Sequence, residues 1–236
     1  MKKRLRVIPL GGLDEIGKNM TVLEYDGDIL IIDCGSAFPN EEMLGIDLVI
    51  PDMTYLEKNR DRIRGVVLTH GHEDHIGGMP YLLKQFGAVP VYGTRLTLGL
   101  LEAKLQEHGV RNVDFHAIQP GDTVKLGCFK VEFVRINHSI LGSVCLAIHT
   151  PIGIVFHTGD FKIDYTPVDG QVADLSRIAA LGEQGVLLLL ADSTNVERPG
   201  YTLSETTVGK NLEEYIRGAK GRVIVTTFSS NVHRVQ

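Results

Sequence analysis

Four side chains with metal-ligand chemistry, His70, His72, Asp74 and His75, stand within the six-residue run His70-Gly71-His72-Glu73-Asp74-His75. Imidazole nitrogens and carboxylate oxygens together suit a divalent transition ion such as zinc, and an open position on such an ion makes water acidic near neutral pH. A tight turn at Gly71 is expected to let His70 and His72 converge on one ion, while Asp74 and His75, entering a helix, point toward a second. The competing reading is a polar surface loop in which Asp74 caps a helix. A lone His-x-His would deserve that reading; the complete run, placed directly after an apolar strand pattern, does not.

A metal centre needs partners from elsewhere in the chain, and two residues stand at suitable places. His138 follows the strand pattern 131–136, and Asp160 follows the pattern 154–157 in Thr158-Gly159-Asp160. Strand ends are where a sheet fold gathers its functional loops. Taken alone, each would read as a cap or turn residue, as would Asp33 at the end of 29–33, and Glu73 reads as solvated or as a support to the ligands.

The elements that must hold these residues are short, β-branched apolar runs at 7–10, 20–24, 29–33, 66–69, 89–92, 131–136, 145–149 and 154–157. Turn signals such as Asp26-Gly27 and Pro151-Ile152-Gly153 lie between several of them, so neighbouring strands are expected to be antiparallel and to form a sheet sandwich. Helical periodicity follows Thr94 up to Gly109, runs through 79–86, and begins again at Ser204, where Val208, Leu212, Tyr215 and Ile216 share one side. The run 186–191 is continuously apolar, as in a strand buried on both faces. With the helix after Ser204 and a strand at 223–227 it would form a βαβ unit, which places a change of domain near residue 192.

Composition narrows the class further. The hydrophobic fraction of 43% and charged fraction of 22% are those of a globular protein with a substantial core. No apolar run approaches the length of a membrane span, and the basic start Met1-Lys2-Lys3-Arg4 leads into no secretion signal. Three cysteines, Cys34, Cys128 and Cys145, form no paired spacing, which fits a reducing cytoplasm. A net charge of −5 and a pI near 6.0 carry no global basic footprint, although bound ions would add positive charge locally. The chain stops at 228–236 in what reads as a strand end feeding a new helix, so a fragment is expected.

The order His-x-His-x-Asp-His, then His138, then Asp160, resembles the metallo-β-lactamase superfamily. The resemblance implies an αββα sandwich of mixed α and β structure over residues 1–191. It assigns His70, His72 and His138 to one zinc and Asp74 and His75 to another, with Asp160 bridging; Asp33 would orient the metal loop. The stretch Pro9-Leu10-Gly11-Gly12-Leu13-Asp14-Glu15-Ile16-Gly17-Lys18-Asn19-Met20, the metal loop Leu68 to Gly77, and Asn137-His138-Ser139, Thr158-Gly159-Asp160-Phe161-Lys162 and Ala191-Asp192-Ser193-Thr194-Asn195 narrow it to the ribonuclease J group of β-CASP nucleases. On that resemblance 192–236 begins a βαβ-type β-CASP domain, Asp192 is its first acidic motif residue, and the histidine completing the second metal's shell lies beyond Gln236.

What the resemblance implies about activity is hydrolysis of phosphodiester bonds in single-stranded RNA, endonucleolytic or from the 5′ end. Asp74 is expected to orient or deprotonate the attacking water, with Asp33, Asp160 and Asp192 as further acidic residues of the site. Two zinc ions are the expected cofactors, with manganese the second choice. Ser229, Ser230, Asn231 and His233 are expected RNA or phosphate contacts at a helix N-terminus, against plain capping by either serine. Partners in this reading are RNA and either further copies of the chain or an RNA-decay complex with a paralogue, without membrane association. Two rivals stand: a thioester or lactam hydrolase on the same scaffold, and a catalytically silent RNA-binding subunit.

Overall fold

In a computed structural model describing residues 3–228 and 230–231, two sheets are stacked between layers of helix. The first sheet holds β1 (Arg6–Gly11), β2 (Met20–Tyr25), β3 (Asp28–Ile32), β4 (Ile63–Val67), β5 (Val91–Thr94) and β6 (Phe115–Ile118), in that spatial order. The second runs β11 (Val186–Leu190), β10 (Gly153–His157), β9 (Val144–Thr150), β8 (Phe129–Arg135) and β7 (Thr123–Leu126). Helices α1 (Thr54–Glu57), α2 (Glu73–Ile76), α3 (Met79–Phe86) and α4 (Arg95–Glu107) belong to the first half of the chain, and α5 (Leu175–Gln184) and α6 (Glu205–Gly218) to the second.

Three apolar clusters make the layering concrete. Alternation along the strands sends Leu23, Leu30, Ile32 and Val67 toward Phe129, Val131, Phe133, Leu146, Ile148 and Val155, which closes the space between the sheets. The opposite side chains of the first sheet, Met20, Val22, Ile29, Ile31, Val66 and Val91, meet Met79, Leu82, Leu83, Phe86, Leu98, Leu101 and Leu105 from α3 and α4. On the far side of the second sheet, Cys145, Ala147, Ile154 and Phe156 pack with Ala173, Ile178 and Leu181 at α5. The expected αββα sandwich is therefore present.

Pairing differs from the expectation at several strands. β1–β2–β3 and β7–β8–β9–β10 are antiparallel, but β3–β4, β4–β5, β5–β6 and β10–β11 are parallel. Helical segments connect β4 to β5, β5 to β6 and β10 to β11, and such crossovers bring the next strand back parallel. The run 186–191 is not buried on both faces: β11 is an edge strand whose Leu187 and Leu189 are exposed. Residues 223–227 form no strand, and Val223, Ile224 and Val225 are exposed without a ladder partner among the described residues. A β-branched run becomes a strand only where an edge is offered to it. The βαβ unit is thus represented here by β11 and α6 alone, with Ser204 capping the helix through the Thr206 amide. No helix among the described residues is long and apolar enough to cross a membrane.

Candidate metal centre

The run His70 to His75 lies at the exit of β4, where the chain leaves the first sheet and enters α2. Asp74 is not that helix's cap: His72 occupies the N-cap position, and its carbonyl accepts the amides of His75 and Ile76 at 3.0 Å each. This frees the Asp74 side chain for the site. Gly71 does not adopt a left-handed turn; it is buried, and a Cβ there would meet Leu100 Cδ1 at 2.8 Å. Its role is close packing beneath the two histidines. Gly35 serves the other side of the loop, because a Cβ at that position would run into the Asp74 carbonyl oxygen.

The other loops are tied to this one through backbone bonds. Val144 N donates to Thr69 O at 3.0 Å, which joins the start of β9 to the metal loop. His138 follows Asn137, whose carbonyl accepts from Lys162 N at 2.8 Å, so the His138 and Asp160 loops are tied to each other. The Asn137 side chain anchors both: Nδ2 donates to Gln171 O at 2.8 Å and Oδ1 accepts from Ala173 N at 3.0 Å. Gly159 takes a φ of 57° in the turn before Asp160, and its amide donates to His157 Nδ1 at 3.0 Å.

Two groups of ligand atoms result, His70 with His72 and His138, and His70 with His75 and Asp160, the atoms of each lying within 4.8 Å of one another. The rings of His70, His72 and His138 stand edge to face with centroids 4.8 Å apart. His72 Nδ1 lies 3.1 Å from both His70 Nε2 and His138 Nε2. His75 Nε2 is 3.2 Å from Asp160 Oδ1 and 3.6 Å from Asp74 Oδ2, and His138 Nε2 is 3.7 Å from Asp160 Oδ2. The two groups thus contain five of the six residues expected as ligands and place Asp160 between them; Asp74 belongs to neither group and stands beside the second, through His75. His70 lies within reach of both groups, but its Nδ1 is 3.0 Å from Thr69 Oγ1, which leaves Nε2 for one ion.

Charge divides the site. Burial pushes the His70 imidazole well below its ordinary value, lowers His72, and takes His138 down to about 4, with the neighbouring imidazoles adding to the effect at each. Three neutral rings therefore direct lone pairs at a common point, an arrangement that fits a cation. His75 behaves oppositely: burial alone would lower it, but the Asp33 and Asp160 carboxylates outweigh that and raise it to about 10. Burial would raise Asp160, yet the hydrogen bond and charge of His75 hold it below the usual carboxylate range, whereas burial does raise Asp74.

Asp33 sits behind the ligands in a left-handed conformation with a φ of 56°. Its Oδ1 accepts from Thr69 N at 2.8 Å, and its Oδ2 lies 2.7 Å from Thr69 Oγ1 and 2.8 Å from His75 Nδ1. These contacts tie Asp33 to Thr69 at the start of the metal loop and to His75 at its end. Asp192 is not among the ligand groups: it accepts from Thr194 N at 2.8 Å, lines the groove with His75 and Asp160, and acts on His138 through its charge. That groove measures about 870 Å³ and is walled by 11–17 and 189–198.

Ser230 and Asn231 do not line the groove, and Asn231 N donates to Phe228 O at 3.0 Å within a turn. Ser229 and His233 lie outside the described residues. Sequence reasoning missed Thr69, His157 and Asn19 as site residues. Asn19 Nδ2 lies 3.1 Å from Asp74 O and 3.3 Å from Asp74 Oδ2. Glu73, expected as solvated or supporting, pairs with Lys104 at 2.6 Å.

Comparison with known proteins follows the same lines. The family model described as the metallo-beta-lactamase superfamily matches residues 13–190. A ribonuclease J of Synechocystis is 55% identical over 98% of this chain and 36% of its own length. That of Thermus thermophilus is 52% identical over 98% of this chain and 42% of its own, and that of Helicobacter pylori strain 26695 is 48% identical over 99% and 34%. The chain therefore spans well under half the length of these curated relatives. A crystal structure of a protein of unknown function from Enterococcus faecalis V583 shares the fold, with a TM-score of 0.73 at 19% identity over 99% of this chain and 62% of that one.

Proposed function

The chain belongs to the metallo-β-lactamase superfamily, and we propose that it carries the metal centre of a ribonuclease that hydrolyses phosphodiester bonds of single-stranded RNA, with two zinc ions, or manganese in their place. The observation that carries the reading is the pair of adjacent ligand groups, His72 and His138 with His70 on one side and His75 on the other, with Asp160 between them. RNA as substrate is supported by similarity along 98% of the chain to relatives named ribonuclease J.

His70, His72 and His138 would hold one ion, and His75 and Asp74 the other, with Asp160 reaching both. Bound there, the ions supply the positive charge that makes water acidic near neutral pH and offsets charge on the phosphoryl oxygens. The chain's own side chains do the remaining work. Asp33 and Thr69 hold the His75 ring in one orientation. Asp74, with Oδ2 3.6 Å from His75 Nε2 at the edge of the second group, orients the attacking water and takes its proton. Asp160, with Oδ1 3.2 Å from His75 Nε2 and Oδ2 3.7 Å from His138 Nε2, offers one oxygen to each group.

The groove beside His75, Asp160 and Asp192 would receive the strand. Asp192 lines the same groove and adds negative charge near His138. Residues 1–191 form the catalytic unit in this reading, and 192–236 open a second domain in which Ser229, Ser230, Asn231 and His233 contact phosphate.

The test is cleavage of a 5′-monophosphorylated single-stranded RNA by the full-length protein, beside hydrolysis of a thioester and a lactam. Cleavage of RNA that needs zinc or manganese and is lost in Asp74→Ala supports the reading. A metal-loaded protein that spares RNA yet hydrolyses the thioester or the lactam overturns it.

A further inference from the structure

The glycine-bearing stretch before β2 is not consumed by the metal ligands, yet it ends at the edge of the site. Asn19 is joined to the metal loop by backbone and side chain alike: its amide N–H donates to Asp74 O at 3.0 Å, and Nδ2 donates to Asp74 O at 3.1 Å and to Asp74 Oδ2 at 3.3 Å. The same Nδ2 lies 3.1 Å from His75 Nε2. Its own carbonyl accepts from Gly35 N at 2.9 Å, which ties in the loop that follows Asp33.

The orientation of the Asn19 amide follows from its partners. A carbonyl and a carboxylate oxygen only accept, so the nitrogen must face Asp74. The amide oxygen then faces Gly12, where a Cβ would approach Asn19 Oδ1 to 2.5 Å. The glycine leaves the space in which this orientation fits.

From these contacts we infer that Asn19 is a positioning residue that sets the Asp74 carboxylate relative to His75 and so builds the second metal position. This rests on the proposed two-ion reading of the centre. The group at stake is the Nδ2 donor, not the volume of the side chain. Outer partners of this kind change metal affinity by about 10–100-fold when removed.

The experiment titrates the full-length apoprotein with cobalt(II), reading its visible absorption for each ion bound, in the unsubstituted protein, Asn19→Ala and the isosteric Asn19→Asp, with thermal unfolding alongside. The inference predicts that the first cobalt ion binds normally in both variants while the second weakens by about 10–100-fold, with unfolding temperature little changed. In RNA cleavage kcat falls and KM holds. Because metal binding is read without RNA, loss of the second ion supports the inference even where RNA is not the substrate. Unaltered second-ion binding in Asn19→Ala and Asn19→Asp, equal weakening of both ions with a lowered unfolding temperature, or a single cobalt ion in the unsubstituted protein overturns it.

Discussion

Asp33 Oδ2 stands 2.8 Å from His75 Nδ1, with both side chains almost wholly buried. The bond leaves His75 Nε2 as the ring atom that faces Asp160 and Asp74. A histidine ligand is oriented in this way by what its other nitrogen meets. Since Asp33 also accepts the Thr69 amide and hydroxyl, one carboxylate fixes both the start and the end of the metal loop. Asp33→Ala strands the buried Thr69 amide, at a cost of about 1–3 kcal/mol. It is also expected to weaken the ion held by His75 by about 10–100-fold. Urea unfolding of the apoprotein and a metal titration read the two effects separately.

Opposed shifts among the histidines give the apoprotein a stability maximum. His138 is lowered from 6.5 to about 4, so between those values the unfolded chain binds the extra proton and stability rises with pH. His75 is raised from 6.5 to about 10, so its contribution is complete below 6.5 and is lost as pH climbs through about 10. Unfolding temperature against pH should therefore peak near 6.5. At pH 7 the His75 proton must also leave when an ion binds, and calorimetry in buffers of different ionisation enthalpy should show its release.

Phe133 is fully buried where the two sheets meet. Phe133→Ala is expected to destabilise the fold by about 3–5 kcal/mol, since it removes a ring and leaves a cavity that flanking strands cannot close. Denaturant unfolding with an unchanged m-value is the measurement.

The metal loop was legible because its ligands are neighbours in sequence, and strand-end position offered His138 and Asp160 as partners, while Asp33, by itself an ordinary turn residue, came in through the family resemblance. The sheet sandwich followed from alternation along the strands, and the αββα layering from the family resemblance. Pairing direction was not legible, because a period of two marks which face a residue takes without naming its neighbour. The four-residue strands β6 and β7 were too short and too polar in alternation to stand out, and α5 was passed over although Asp174 caps it through Arg177 N. The exposed run 223–227 shows the converse, a strand propensity with no partner. Asn19 meets Asp74 across 55 positions, a separation that no local pattern encodes.

Two adjacent ligand groups with Asp160 between them are the central claim, and the metal-to-protein ratio of the full-length protein, measured by mass spectrometry with and without His70→Ala and His72→Ala, tests it most directly. About two ions per chain are predicted for the unsubstituted protein, with His70→Ala and His72→Ala each losing the ion of the first group and retaining the ion beside His75 and Asp160. A His70→Ala protein that still holds two ions contradicts the account.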